Sequence, residues 1–214
     1  MKTRAIQEEI AKKSVNLESL AAQVIREPRL LGEIFDGLDA DTAKLKYGCL
    51  KLLRIISERE PRVLYPEIGR FFRLLDSKNT ILKWGAIIIV GNLAVVDSEG
   101  KIDRMLDRYL RPISEHVLIT AANVIGGAGR IARAKPYLAD RIACALLQVE
   151  RARYQTAECR NVALGHAVES LDKAFGNIRQ QQPVVQFVRR QLCNRRNAVR
   201  QKAARFLKRH CQVA

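Results

Sequence analysis

The sequence predicts an all-α fold, an α-α superhelix or solenoid of about five antiparallel helix pairs behind an N-terminal helical cap. Three observations carry that expectation. A short phrase, apolar-basic-x-x-small, recurs as Leu45-Lys46-x-x-Cys49, Leu82-Lys83-x-x-Ala86, Cys159-Arg160-x-x-Ala163 and Val199-Arg200-x-x-Ala203, with a weaker copy at Leu118-Ile119-x-x-Ala122. The small position falls at 49, 86, 122, 163 and 203, at intervals of 37, 36, 41 and 40 residues. A helical phrase repeating near 40 residues marks stacked helix pairs, because one pair cannot bury its apolar face alone. Finally, no stretch alternates apolar and polar residues as a half-buried strand would.

Taken in order, residues 1–27 read as cap helices, with Ile6 and Ile10, then Leu17, Leu20, Ala21 and Val24 at helical spacing. Asn16 is placed to cap the second of them, since its side-chain oxygen can take a free backbone amide. Pro28 opens the first repeat (28–58), whose inner helix is expected from Thr42 to Ser57. Pro61 opens the second (61–96), with an inner helix from Thr80 to about Val95. Asp97-Ser98-Glu99-Gly100 breaks to the third (99–134), with an inner helix from Ser114 onward. Lys135-Pro136 starts the fourth (135–176), with a helix from Thr156 to about Phe175 that Gly176 stops. The fifth repeat (179–211) pairs Val184, Val185, Val188 and Leu192 with the helix Asn197–His210. On that helix Val199, Ala203, Phe206 and Leu207 stand at i, i+4, i+7 and i+8, one narrow apolar stripe. The whole chain reads as one repeat domain, 1–214.

The phrases resemble those of HEAT-repeat proteins. The second repeat carries the likeness best, as Tyr65-Pro66-x-Ile68-x-x-Phe71-Phe72-x-Leu74-Leu75-Asp76, then x-x-Asn79-x-x-Leu82-Lys83-x-x-Ala86-Ile87. The likeness covers roughly residues 28 to 211. It departs where Leu38-Asp39 and Leu75-Asp76 give way to Arg111-Pro112, Ala152-Arg153 and Leu192-Cys193. The resemblance implies a right-handed superhelix, second helices lining its concave face, and a role in binding rather than a particular chemistry.

Composition narrows the class of partner. The chain is 48% hydrophobic and 28% charged, as a globular protein is, but its formal net charge is +16. The excess is not uniform: residues 1–50 balance, while after Asp172 no acidic residue occurs. The fifth repeat therefore offers Arg189, Arg190, Arg195, Arg196, Arg200, Lys202 and Arg205 to an acidic protein segment or nucleic acid. The bland alternative is a solvated cap kept soluble by charge. Met1-Lys2-Thr3-Arg4 leads into Glu8-Glu9 rather than an apolar run, so no signal peptide is expected. The most apolar stretch, 84–96, is shorter than the ~20 residues a membrane span needs. Five cysteines (49, 144, 159, 193 and 211) lack C-x-x-C pairing and read as buried free thiols in a reducing cytoplasm. A cytoplasmic monomer is the expectation.

Chemistry-bearing motifs are few. Gly126-Gly127-Ala128-Gly129-Arg130-Ile131-Ala132 contains G-x-G-x-x-A, but a dinucleotide fingerprint needs a strand before the glycines, and here the helical register continues. These glycines read as a bare helix face that a neighbour approaches closely. His116, His166 and His210 fall in different repeats without metal-ligand spacing, so no metal and no cofactor are expected. Tyr47 and Trp84 sit beside Lys46, Lys83 and Lys51 at one position of successive inner helices. They suit either base stacking or packing between repeats. An inner-helix face of Lys46, Tyr47, Lys83, Trp84, Arg160 and Arg200 is thus the first candidate surface, and the basic fifth repeat the second. The leading reading is a non-enzymatic scaffold for an acidic partner, with a nucleic-acid binder as the alternative. HEAT-like alkylpurine DNA glycosylases resemble the chain in size and basicity, but no acid here matches their motif, so no catalytic residue is assigned.

Overall fold

The computed structural model describes residues 5–12 and 14–211 of the chain; the Met1–Arg4 start lies outside them. Among the described residues there are helices and turns and no strand. They divide into two compact units, residues 1–98 and 99–214, and the division falls in the Asp97–Gly100 turn. Gly100 has φ +63, a left-handed conformation that a side chain would strain.

In the first unit, α1 (Ala5–Ala11) and α2 (Leu17–Arg26) precede two helix pairs. Asn16 caps α2, its Oδ1 accepting from Ser19 N at 3.0 Å. Pro28 begins a 3₁₀ turn that leads into α3 (Leu31–Gly37), and α4 (Ala43–Arg59) returns. Proline suits these starts because its missing N–H is one that a first turn leaves unused. Pro61 likewise opens α5 (Pro61–Leu64), and Pro66 then separates it from α6 (Ile68–Leu74) by a 3₁₀ turn. The inner helix α7 (Thr80–Leu93) is capped by Asn79, whose Oδ1 accepts from Ile81 N and Leu82 N. Helices α4 and α7 pack side by side, with α1, α2 and α3 against α4 and α6 against α7. The core between them holds Ile10, Val24, Ile34, Leu52, Leu53, Ile56, Phe71, Ile89 and Val90.

In the second unit, α8 (Lys101–Leu110), α10 (Ala139–Leu147) and α12 (Gln181–Arg190) are the outer helices. The inner helices are α9 (Leu118–Ala134), α11 (Ala157–Ala174) and α13 (Asn197–His210), and α11 packs between the other two. Gly129 makes the α9–α11 contact close: a Cβ there would lie 2.9 Å from Ser170 Cβ and 3.2 Å from Ser170 Cα. Ser170 Oγ in turn donates to the Ile125 carbonyl at 3.0 Å. The fourth repeat also completes the third: Asn177 Nδ2 donates to the carbonyls of Ala132 and Arg133, at the end of α9.

Three expectations need correction. The third inner helix begins at Leu118, not Ser114, because Pro112 sits in a 3₁₀ turn over Arg111–Ser114 and Glu115 then turns extended, at ψ 160. Its register differs too. Cys49, Ala86, Ala163 and Ala203 are fully buried, each six residues after the first residue of its helix. In α9 that place belongs to Val124, also fully buried, whereas Ala122 is half-buried. The intervals become 37, 38, 39 and 40, a smoother progression than the phrase suggested. The cysteines are free but not uniformly buried. Cys49 alone is buried, Cys159 and Cys211 are half-buried, and Cys144 and Cys193 are exposed. The small-residue position of the phrase is what buries Cys49; the others lie off it.

Candidate binding groove

A basic concavity of the second unit lies where α11 meets the turn between α12 and α13. Thr156 starts α11 by accepting from Cys159 N at 3.0 Å through Oγ1. From there Ala157, Arg160, Asn161 and Leu164 fall at i, i+3, i+4 and i+7, so one face of the helix forms one wall. The other wall is Arg190, Gln191, Cys193, Asn194 and Arg195, where α12 ends in a 3₁₀ turn. Together with Glu150 they enclose a groove of about 660 Å³.

Its floor is a hydrogen-bonded polar chain. Arg190 donates Nε to Glu150 Oε1 at 2.9 Å and Nη2 to Oε2 at 2.8 Å, a side-on bidentate pair that pushes the Arg190 pKa further up. Gln191, only 4% exposed, donates to Glu150 Oε1 at 2.9 Å. Asn194 Nδ2 is shared between Gln191 Oε1 and Asn161 Oδ1, at 3.1 and 3.2 Å. Asn194 Oδ1 accepts from Arg196 N. Above this floor Arg160 and Arg195 are exposed, and neither forms an ion pair among the described residues.

The other predicted residues part company here. Arg196 pairs with Glu158, Lys202 with Glu169 at 2.8 Å, and Arg209 with Asp172 at 2.6 Å, all across the fourth and fifth repeats. The pair of Glu169 with Lys173, and then that with Lys202, hold its carboxyl down at about 2. Lys202 also adds to burial in lowering the pKa of the half-buried His166. His210 bonds Asp172 at 2.7 Å and lies against the rings of Phe175 and Phe206, so it belongs to the core edge. Arg200 is engaged by its own chain. Its Nη1 donates to the carbonyls of Asn194 and Arg195 at 2.8 and 3.0 Å, which clasps the turn before its own helix. Arg189 and Arg205 are exposed and form no ion pair among the described residues. Arg205 lines a second depression of about 330 Å³ with Glu169, Asp172 and Lys173.

In the first unit Lys46, Tyr47, Lys83 and Trp84 are all half-buried. Tyr47 Oη accepts from Asn79 Nδ2 at 3.2 Å, which ties it to the cap of the helix that bears Trp84. The glycine run lies wholly inside α9, with no strand before it. The groove therefore gathers Arg160, Arg190 and Arg195 of the predicted set. Sequence reasoning did not place Glu150, Asn161, Gln191 and Asn194 at this surface. The signal for Glu150 was spacing: it stands 40 residues before Arg190, one repeat interval away.

No protein-family model matches the chain, and no curated protein matches it. Solved structures do. A designed armadillo repeat protein superposes with a TM-score of 0.59 at 10% identity, covering 97% of this chain and 99% of its own. An engineered protein solved by a structural genomics consortium gives 0.56 at 14% identity, covering 96% and 87%. At such identities the likeness is one of fold. The fold class is all-α, of the superhelical helical-repeat type. No helix among the described residues is long and apolar enough to cross a membrane.

Proposed function

We propose that the protein is a non-enzymatic binding scaffold, a HEAT-type solenoid whose groove between the fourth and fifth repeats grips an acidic segment of another protein. Within helical-repeat folds the HEAT reading rests on Pro66 in an outer limb and on the apolar-basic-x-x-small phrase of the inner helices. One observation carries the functional reading. Arg190, Arg196, Lys202 and Arg209 each meet a carboxylate of their own chain, while Arg160 and Arg195 line one groove and pair with no carboxylate among the described residues. Two uncommitted guanidiniums over an amide-lined floor invite carboxylates from outside. A duplex asks for a row of free cations along its backbone, and the internal pairs shorten that row. An acidic segment is therefore favoured over nucleic acid.

The test is a titration of a labelled Asp/Glu-rich peptide, duplex DNA, single-stranded DNA and RNA with the purified protein at low and moderate salt. The peptide is expected to bind, and Arg160→Glu with Arg195→Glu to abolish binding without shifting the melting temperature. Binding of nucleic acid alone, with log K falling linearly with log salt at a slope near −0.9 per phosphate on a duplex, replaces this reading with the nucleic-acid one.

A further inference from the structure

We infer that the groove is a phosphoryl site, taking a phosphorylated serine or threonine carried on the acidic segment; the inference rests on the scaffold reading above. The lining is rich in donors and poor in acceptors. Glu150 is its one acid, and both carboxylate oxygens are already engaged, one by Arg190 and the other by Arg190's neighbour Gln191 together with the Nε of Arg190. Asn161 Oδ1 is engaged by Asn194, which leaves the Asn161 amide hydrogens as further donors in the lining. The guanidiniums of Arg160 and Arg195 bring five N–H donors each in a rigid fork.

A carboxylate has two oxygens and one charge, and a single arginine fork satisfies it. Two forks with an amide beside them match a group with more oxygens and more charge. A phosphate monoester carries three terminal oxygens and a charge of roughly −1.5 to −2 near neutrality. Arginine, unlike lysine, presents the planar pair of donors that suits phosphate. The start of α11 at Ala157 adds a favourable helix-dipole field, though it is the two arginines that make the site. The groove is open and about 660 Å³, which admits a side chain reaching in from a backbone outside. Salt bridges elsewhere in the fifth repeat do not compete, because Arg196, Lys202 and Arg209 already hold their own carboxylates.

The experiment compares two labelled peptides of one Asp/Glu-rich sequence, with its central serine phosphorylated or unmodified, by fluorescence anisotropy. The wild type is expected to bind the phosphopeptide at least about tenfold more tightly. The advantage should vanish in R160Q/R195Q and survive in R205Q/K208Q, which removes as many exposed charges outside the groove. If R160Q/R195Q melts early, R160K/R195K replaces it, keeping the charge and losing the forks. Equal affinity for the two peptides overturns the inference and leaves the scaffold reading standing. An advantage that persists without the two arginines, or is lost equally in R205Q/K208Q, also overturns it. If neither peptide binds, the scaffold reading falls as well.

Discussion

The guanidinium of Arg190 lies side-on against the carboxylate of Glu150, with both donor-acceptor distances under 3 Å, across one repeat interval of the chain. This geometry is a favourable one for an ion pair, because two parallel bonds fix one orientation. Glu150→Gln is expected to destabilise the second unit by about 1 kcal/mol, near the upper end for a pair open to solvent on one side. A double-mutant cycle with Arg190→Gln, followed by urea unfolding, measures the coupling. A coupling indistinguishable from zero would mean that Gln191 alone orders the floor.

Acid should loosen the contact between the fourth and fifth repeats. Hydrogen bonds from Lys173 and then Lys202 depress the Glu169 carboxyl from 4.5 to about 2. A carboxyl lowered in the folded state contributes stability that is fully present above its unfolded pKa and lost as pH falls through the folded value. The loss attributable to Glu169 thus falls between roughly pH 4.5 and 2. Glu169→Gln should be less stable than wild type at neutral pH and converge with it toward pH 2, read as melting temperature against pH.

Two glycines of α9 separate packing from propensity. Gly129→Ala places a methyl group 2.9 Å from Ser170 Cβ and 3.2 Å from its backbone, so α9 and α11 must part. Overpacking of this kind costs about 1–3 kcal/mol. Gly126→Ala meets nothing within 4 Å and gains helix propensity, up to about 1 kcal/mol. The two substitutions should therefore shift the urea midpoint in opposite directions.

The fully buried Ala86 marks the phrase position in the second repeat. Ala86→Trp should cost 1–3 kcal/mol or more, roughly, by forcing α7 off its neighbours. An unchanged thermal midpoint would place that helix face wrongly.

Arg200 and the pair Arg160 and Arg195 should prove separable. Arg200→Gln frees the carbonyls of Asn194 and Arg195 and is expected to lower the melting temperature. Peptide affinity should change only as far as that turn moves Arg195. R160Q/R195Q should do the reverse, altering affinity and leaving the melt alone.

Much of this architecture was legible because proline and asparagine act locally. Pro28, Pro61 and Pro136 mark where outer limbs begin, and Asn16, Asn79 and Thr156 cap helices through their own side chains. The register of α9 was not legible. Its run of alanines and glycines offers several small residues at helical spacing, so Ala122 and Val124 look alike until one of them is buried. The charge pattern hid the internal ion pairs for a different reason. An acid-free stretch says nothing of the acids one repeat earlier, and Glu150, Glu158, Glu169 and Asp172 engage Arg190, Arg196, Lys202 and Arg209. Those separations, 40, 38, 33 and 37 residues, lie near the repeat interval and would have flagged the pairs. What the subtraction leaves within the groove is Arg160 and Arg195, which no count of basic residues singles out.

Asn177 gives the second unit a direction. The carbonyls of Ala132 and Arg133 that close α9 are met by a side chain forty-odd residues downstream, after α11 has been laid down. During synthesis α9 emerges before the side chain that meets its last carbonyls. Docking of the following pair is therefore expected also to seal the end of the helix before it, opposite to the order of emergence.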